Sequence, residues 1–206
     1  VRSLIKRITG WREFNVVLAV IALSAILAVS SDAFLTTANL FSVMRSFSLT
    51  AIMAVGMTMV ILTGGIDLSV GSIMGLAGLL TAMMIKNGLP VNIAVLGGLL
   101  VGGALGLANG LMITKLRLPP FIATLGMLSM GRGTMYWITH GWPVTLSVEH
   151  PFLALGQGYV GPVPVPVIVM LVIMGIASIF LSRTSTGRYI YAVGSNEQAS
   201  RFSGIR

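Results

Sequence analysis

The chain has 206 residues, 55% of them hydrophobic and only 9% charged, and thirteen Lys and Arg against five Asp and Glu leave a net charge of +8. Soluble domains carry about a quarter charged residues, so this composition and a mean hydropathy of +0.96 exclude an ordinary soluble domain. The absence of cysteine excludes disulfides, iron–sulfur clusters and thiol catalysis. The basic residues sit at the ends of apolar runs rather than on one amphipathic face, so membrane lipid rather than nucleic acid is the partner they imply.

Arg2, Lys6, Arg7 and Arg12 precede a first charge-free run at 14–31. With Ala28-Val29-Ser30 at its end, this segment imitates a cleavable signal peptide. Its apolar run is longer than the usual length of about 7–15 residues, and it is read as a helix. Further charge-free runs cover 46–66, 68–85, 87–114 and 150–182, while 118–148 is interrupted by Arg132 alone. A helix needs about 20 apolar residues to cross a hydrocarbon core of roughly 30 Å. The pattern predicts an all-α, polytopic transmembrane helical bundle with spans at 14–31, 44–63, 67–86, 91–114, 119–139 and 162–182.

Lys115 and Arg117 follow the fourth span, and Arg183, Arg188, Arg201 and Arg206 follow the sixth. With the N-terminal four they share one side if the chain crosses six times. The positive-inside rule makes that side the cytoplasm, which places the N-terminus there.

Between the second and third spans lies Thr63-Gly64-Gly65-Ile66-Asp67-Leu68-Ser69-Val70-Gly71. Gly64 and Gly65 break the helix, and Asp67 suits the N-cap of the next one, its carboxylate accepting from amides one turn on. Parity puts this break at the cytoplasmic surface as a capped turn. A deeper break would be a discontinuous helix, exposing Gly64, Gly65, Asp67 and Ser69 to a transport pathway or gate. Along the fourth span Gly98, Gly102, Gly106 and Gly110 form a ridge of the kind that lets helices approach closely in lipid. Pro119 and Pro120 mark the start of the fifth, where missing amides cost little.

Arg132 lies mid-run, roughly 18 Å from the start of that span. Arginine near the bilayer centre costs about 2.5–3.5 kcal/mol and must face the bundle or a wet cavity. Donation to neighbouring carbonyls and direct substrate contact both fit. The loop 140–161 is predicted to be non-helical and periplasmic, flanked by Trp137, Trp142 and Tyr159 as an interfacial belt. Its His140, Glu149 and His150 match no zinc spacing, so no metal site is assigned.

The last stretch is polar. Ser195-Asn196-Glu197-Gln198 reads as a capping box with Ser195 at the N-cap. Ala199, Phe202 and Ile205 share one side, and Gly204 is placed for a C-terminal cap. The predicted helix within 194–205 is too short to persist alone and needs something to dock on. Nowhere is there a Gly-x4-Gly-Lys-Ser/Thr loop or a nucleophile–base constellation, so the chain is not read as an enzyme.

Gly64 to Gly71, Pro-Pro-Phe-Ile-Ala-Thr-Leu-Gly at 119–126, Arg132-Gly133, and the string from Thr184 to Ser-Gly-Ile at 203–205 together resemble the permease subunit of bacterial ABC sugar importers, the ribose, xylose and arabinose type. The likeness runs the whole length. It implies an inner-membrane permease working as a homo- or heterodimer with a second permease subunit. A cytoplasmic ABC ATPase would dock on the loop carrying Gly194, Ser195, Asn196, Glu197, Ala199 and Gly204, and a periplasmic binding protein would deliver sugar. No cofactor is implied in this chain, ATP and Mg being held by the partner ATPase. Members of that family run on past this point with further spans, so the chain is expected to be the N-terminal part of a longer permease. The alternative is an ion- or proton-coupled secondary carrier, for which Asp67 is the only candidate relay. A membrane partner that transports nothing is a third possibility.

Overall fold

The computed structural model describes residues 14–147 and 150–205. Arg2, Lys6, Arg7, Arg12, Glu149 and Arg206, used above for topology and the metal site, lie outside the described residues. The chain divides into two compact units, the first ending at Ser46 and the second beginning at Phe47.

In the first unit, α1 (Phe14–Ser30) exposes Val, Leu and Ile side chains all round, as a helix surrounded by lipid does. The turn after it ends on Thr36, whose hydroxyl accepts from the Asn39 amide at 3.3 Å and donates to the Ala33 carbonyl at 2.7 Å. This side-chain cap starts α2 at Thr37 rather than at 44, and the helix runs to Leu62. At 26 residues the helix is about 39 Å long and holds Arg45 within it.

The second unit contains the rest of α2 and then α3 (Val70–Lys86), α4 (Val91–Thr114) and α5 (Pro120–Thr139). α3 packs against both α4 and α5. Small residues make the approach possible: Gly98 abuts the Thr81 hydroxyl and the Ala77 carbonyl, and a Cβ on Gly131 would lie 3.1 Å from Ser72 Cβ. Without a hydrophobic drive between helices in lipid, such packing is what holds them. Only half of the predicted glycine ridge serves this purpose. Gly98 and Gly102 face α3, whereas nothing lies within 4 Å of a Cβ built on Gly106 or Gly110.

The segment 140–161 is not wholly non-helical. It holds α6 (Leu153–Gln157) and β1 (Tyr159–Val160), which pairs antiparallel with β2 (Val163–Pro164). His150 Nδ1 accepts from the Phe152 amide at 3.2 Å and so organises the entry to α6. Because β2 occupies 163–164, the next helix, α7 (Val165–Arg183), begins at 165 rather than 162. By length and apolarity α2, α4 and α7 can each cross a bilayer.

Two further helices follow. α8 (Ser185–Ser195) is capped by Thr184, whose hydroxyl accepts from the Gly187 amide at 3.0 Å. α9 (Glu197–Phe202) is capped by Asn196, not Ser195: Asn196 Oδ1 accepts from the Ala199 amide at 2.9 Å. Ser195 is the last residue of α8, and with Asn196 at the N-cap the N3 residue is Ala199, so the expected capping box does not form. Gly204 closes α9 at φ +82°. The Ile205 amide donates to the Ser200 carbonyl and the Gly204 amide to that of Arg201, each at 3.0 Å, the pairing that a left-handed glycine permits at a helix end.

Candidate functional site

The segment 63–69 joins α2 to α3 and is built from its polar side chains. The Thr63 and Gly65 amides both donate to the Val60 carbonyl at 3.1 Å, and Gly64 turns the chain at φ +81°, a conformation that costs other L-residues dearly. Asp67 is not the N-cap of α3. Its Oδ1 accepts from the Ser69 amide at 2.7 Å and from the Ser69 hydroxyl at 2.5 Å, a side-chain turn two residues long. Ser69 holds the N-cap position without a capping bond of its own, because its hydroxyl is engaged elsewhere.

That hydroxyl, wholly buried, also accepts from Asn109 Nδ2 at 2.8 Å. A chain of hydrogen bonds thus runs from the amide of α4 through Ser69 to the Asp67 carboxylate. Asp67 Oδ2 takes no hydrogen bond among the described residues. From the other side Thr124 of α5, also buried, reaches the Ile66 carbonyl at 3.2 Å. Asn109 lies five residues before the end of α4, and Thr124 four after the start of α5. At 1.5 Å per residue the segment is therefore sunk by about 6–8 Å relative to those helix ends.

Above Asp67 a groove of about 970 Å³ runs between α3 and α4 to α6. Ala77, Gly78, Gly102 and Gly106 line it together with Phe152 and Gly156, and the smallness of the first four leaves it room. Asp67 is its single charged residue.

Arg132 does not line this groove, and the structure does not bring it to Asp67. It is exposed on α5, on one stripe with Ser129 and Tyr136. Donation to neighbouring carbonyls, one of the two readings above, does not occur among the described residues. The ion pair the structure does show joins Glu197 and Arg201 on α9 at 2.7 Å, both side chains well exposed. Phe202 beside it is 93% exposed.

Residues 39–206 match the family described as branched-chain amino acid transport system / permease component. The chain belongs to that family. This permease is 42% identical over 198 residues to the ribose import permease protein of Escherichia coli K12, covering 94% of the chain and 61% of that relative. It is 40% identical over 190 residues to the ribose import permease protein of Bacillus subtilis 168, covering 92% and 59%. The D-allose transport system permease protein of Escherichia coli K12 is 38% identical over 179 residues, covering 86% and 55%. The chain spans about three-fifths of the length of the ribose relatives it matches. No solved structure matches it.

Of the residues singled out in the permease sequence, Gly64, Gly65, Asp67 and Ser69 converge on one segment, while Arg132 stands apart on α5. Asn109 and Thr124 were missed. Asn109 was detectable in principle, being a lone amide deep in an apolar run, between Gly106 and Gly110.

Proposed function

We propose that this chain is part of the membrane-spanning permease subunit of an ATP-driven sugar importer in the bacterial inner membrane, carrying a monosaccharide, a pentose or a related sugar. The observation that carries the reading is the set of relatives: proteins named for import of ribose and allose match nearly the whole chain, and their names favour a sugar over the amino acids of the broader family description. In this reading ATP and Mg belong to a separate cytoplasmic ATPase, a periplasmic protein supplies the sugar, and a second permease subunit completes the pathway. A proton-coupled carrier fits less well, because its only candidate relay, Asp67, has one carboxylate oxygen engaged in holding its own loop.

Two features give the reading a physical form. The α5 stripe bearing Ser129, Arg132 and Tyr136 is exposed, yet an arginine at that depth is not left to lipid. It lines the wet pathway. The Asp67 carboxylate, with one oxygen uncommitted at the foot of the groove, acts at the inner gate.

The ATPase docks on α8 and α9. These helices are capped at both ends and follow the last cationic span end, and α9 presents Glu197, Arg201 and Phe202 outward. Substituting Glu197→Arg reverses the charge of that face. It also removes the Arg201 pair, but exposed pairs of this kind contribute little to stability. In the full-length permease the variant is expected to insert normally and to lose co-purification with the ATPase. Wild-type recovery of the ATPase would sink the docking assignment.

A further inference from the structure

α8 and the segment that carries Asp67 meet backbone to backbone. Gly194, next to last in α8, lies against the carbonyl of Leu62, the last residue of α2. A Cβ at position 194 would overlap the Leu62 oxygen, lie 2.9 Å from its carbonyl carbon and 3.6 Å from Thr63 Cα. Gly194 has an ordinary helical backbone, so conformational freedom does not explain a glycine there. A glycine inside a helix costs about 0.5–1 kcal/mol relative to alanine, and close approach is what its absent side chain provides.

The contact sits where α2 gives way to the 63–69 segment. Leu62 ends α2, and its carbonyl accepts no backbone hydrogen bond among the described residues, as helix C-termini leave their last carbonyls open. Two residues on, Gly64 and Gly65 give the chain its turn, and beyond them Ile66 is tied to Thr124 and Ser69 to Asn109. The 63–69 segment is thus fixed at its far end by α4 and α5 and touched at its near end by α8.

We propose that Gly194 latches α8 to the end of α2, so that a displacement of α8 and α9 is delivered directly to the segment bearing Asp67. Gly194 is then a positioning residue: it touches no substrate, but it converts movement at the ATPase-docking helices into movement at the gate. This rests on the reading that the ATPase docks on α8 and α9.

The test uses the full-length permease with its ATPase in nanodiscs and a single cysteine, Ile66→Cys, in a background otherwise free of cysteine. Ile66 is 53% exposed and therefore open to a maleimide. Its labelling rate is expected to differ between the nucleotide-free state and the vanadate-trapped state. In those Gly194→Ala and Gly194→Val complexes that retain the ATPase, that difference is expected to be lost. Comparing two nucleotide states of one protein separates coupling from a fold defect, which would shift both rates alike. A nucleotide response at position 66 that survives in Gly194→Val with the ATPase bound overturns the latch, as does a wild-type protein that binds the ATPase and shows no response. Retention of the ATPase by the Glu197→Arg protein is a different outcome, and it removes the docking reading instead.

Discussion

Asp67→Asn is expected to leave the fold intact and to reduce sugar uptake about tenfold or more. The amide oxygen of asparagine can still accept from the Ser69 amide and hydroxyl, so the two-residue turn survives. What disappears is the charge. Hydrogen bonds to charged groups contribute about 1.5–3 kcal/mol against about 1 for neutral ones, and a difference of about 1.4 kcal/mol is a factor of ten in an equilibrium. Asp67→Ala removes the acceptor altogether and strands the Ser69 amide. That variant should unfold earlier on heating in detergent than Asp67→Asn, which keeps both hydrogen bonds in weaker, neutral form. Asn109→Leu probes the same chain from α4. Interhelical hydrogen bonds in membranes average about 0.6 kcal/mol and reach about 1.7. Asn109→Leu is accordingly expected to cost about 1–2 kcal/mol of stability, because Ser69 is wholly buried and cannot turn to water. Unaltered uptake by Asp67→Asn would remove the carboxylate from the gate.

Arg132 should show the opposite split between stability and activity. On the insertion scale, which scores a helix entering the bilayer, removing a central arginine saves about 2.5–3.5 kcal/mol at that step. Arg132→Leu is therefore expected to insert and accumulate at least as well as the native chain, and to transport at background level. Arg132→Lys should recover part of the uptake if a positive charge in a wet pathway is what is needed. It should recover little if a planar, bidentate donor is needed. Normal uptake by Arg132→Leu would mean that the exposed stripe on α5 is not the pathway. Since Asp67 and Arg132 form no ion pair, exchanging their charges should rescue neither single variant.

The helical class and the glycine break were legible because they rest on runs of many residues. The breaks between α3, α4 and α5 carry Gly88, Pro90, Pro119 and Pro120, and as helices these three begin and end within three residues of the expected bounds. Where one residue decides, sequence reasoning slipped. Ser195 and Asn196 are both good N-caps, and the choice fell to Asn196 because α8 continues through Gly194 to Ser195, the stretch that rests on Leu62. Asp67 has the right side chain for an N-cap but is placed two residues too early, so it serves the Ser69 amide instead. Asn109 was marked only as an amide in an apolar run, and Thr124 only as one member of the string at 119–126. Their importance is a matter of helix rotation, which places the one against Ser69 and the other against the Ile66 carbonyl. The groove was equally out of reach, since it depends on Gly102 and Gly106 facing the same side as Ala77 and Gly78.

The central claim is that an ATPase, and not an ion gradient, drives sugar through this permease. It is tested most directly in sealed vesicles holding the full-length permease and its ATPase, with the binding protein and radiolabelled ribose, xylose or arabinose supplied on the binding-protein side. The account predicts accumulation of a pentose that requires ATP on the ATPase side and is unchanged by a protonophore. Accumulation that proceeds without ATP and collapses when the protonophore is added would contradict it.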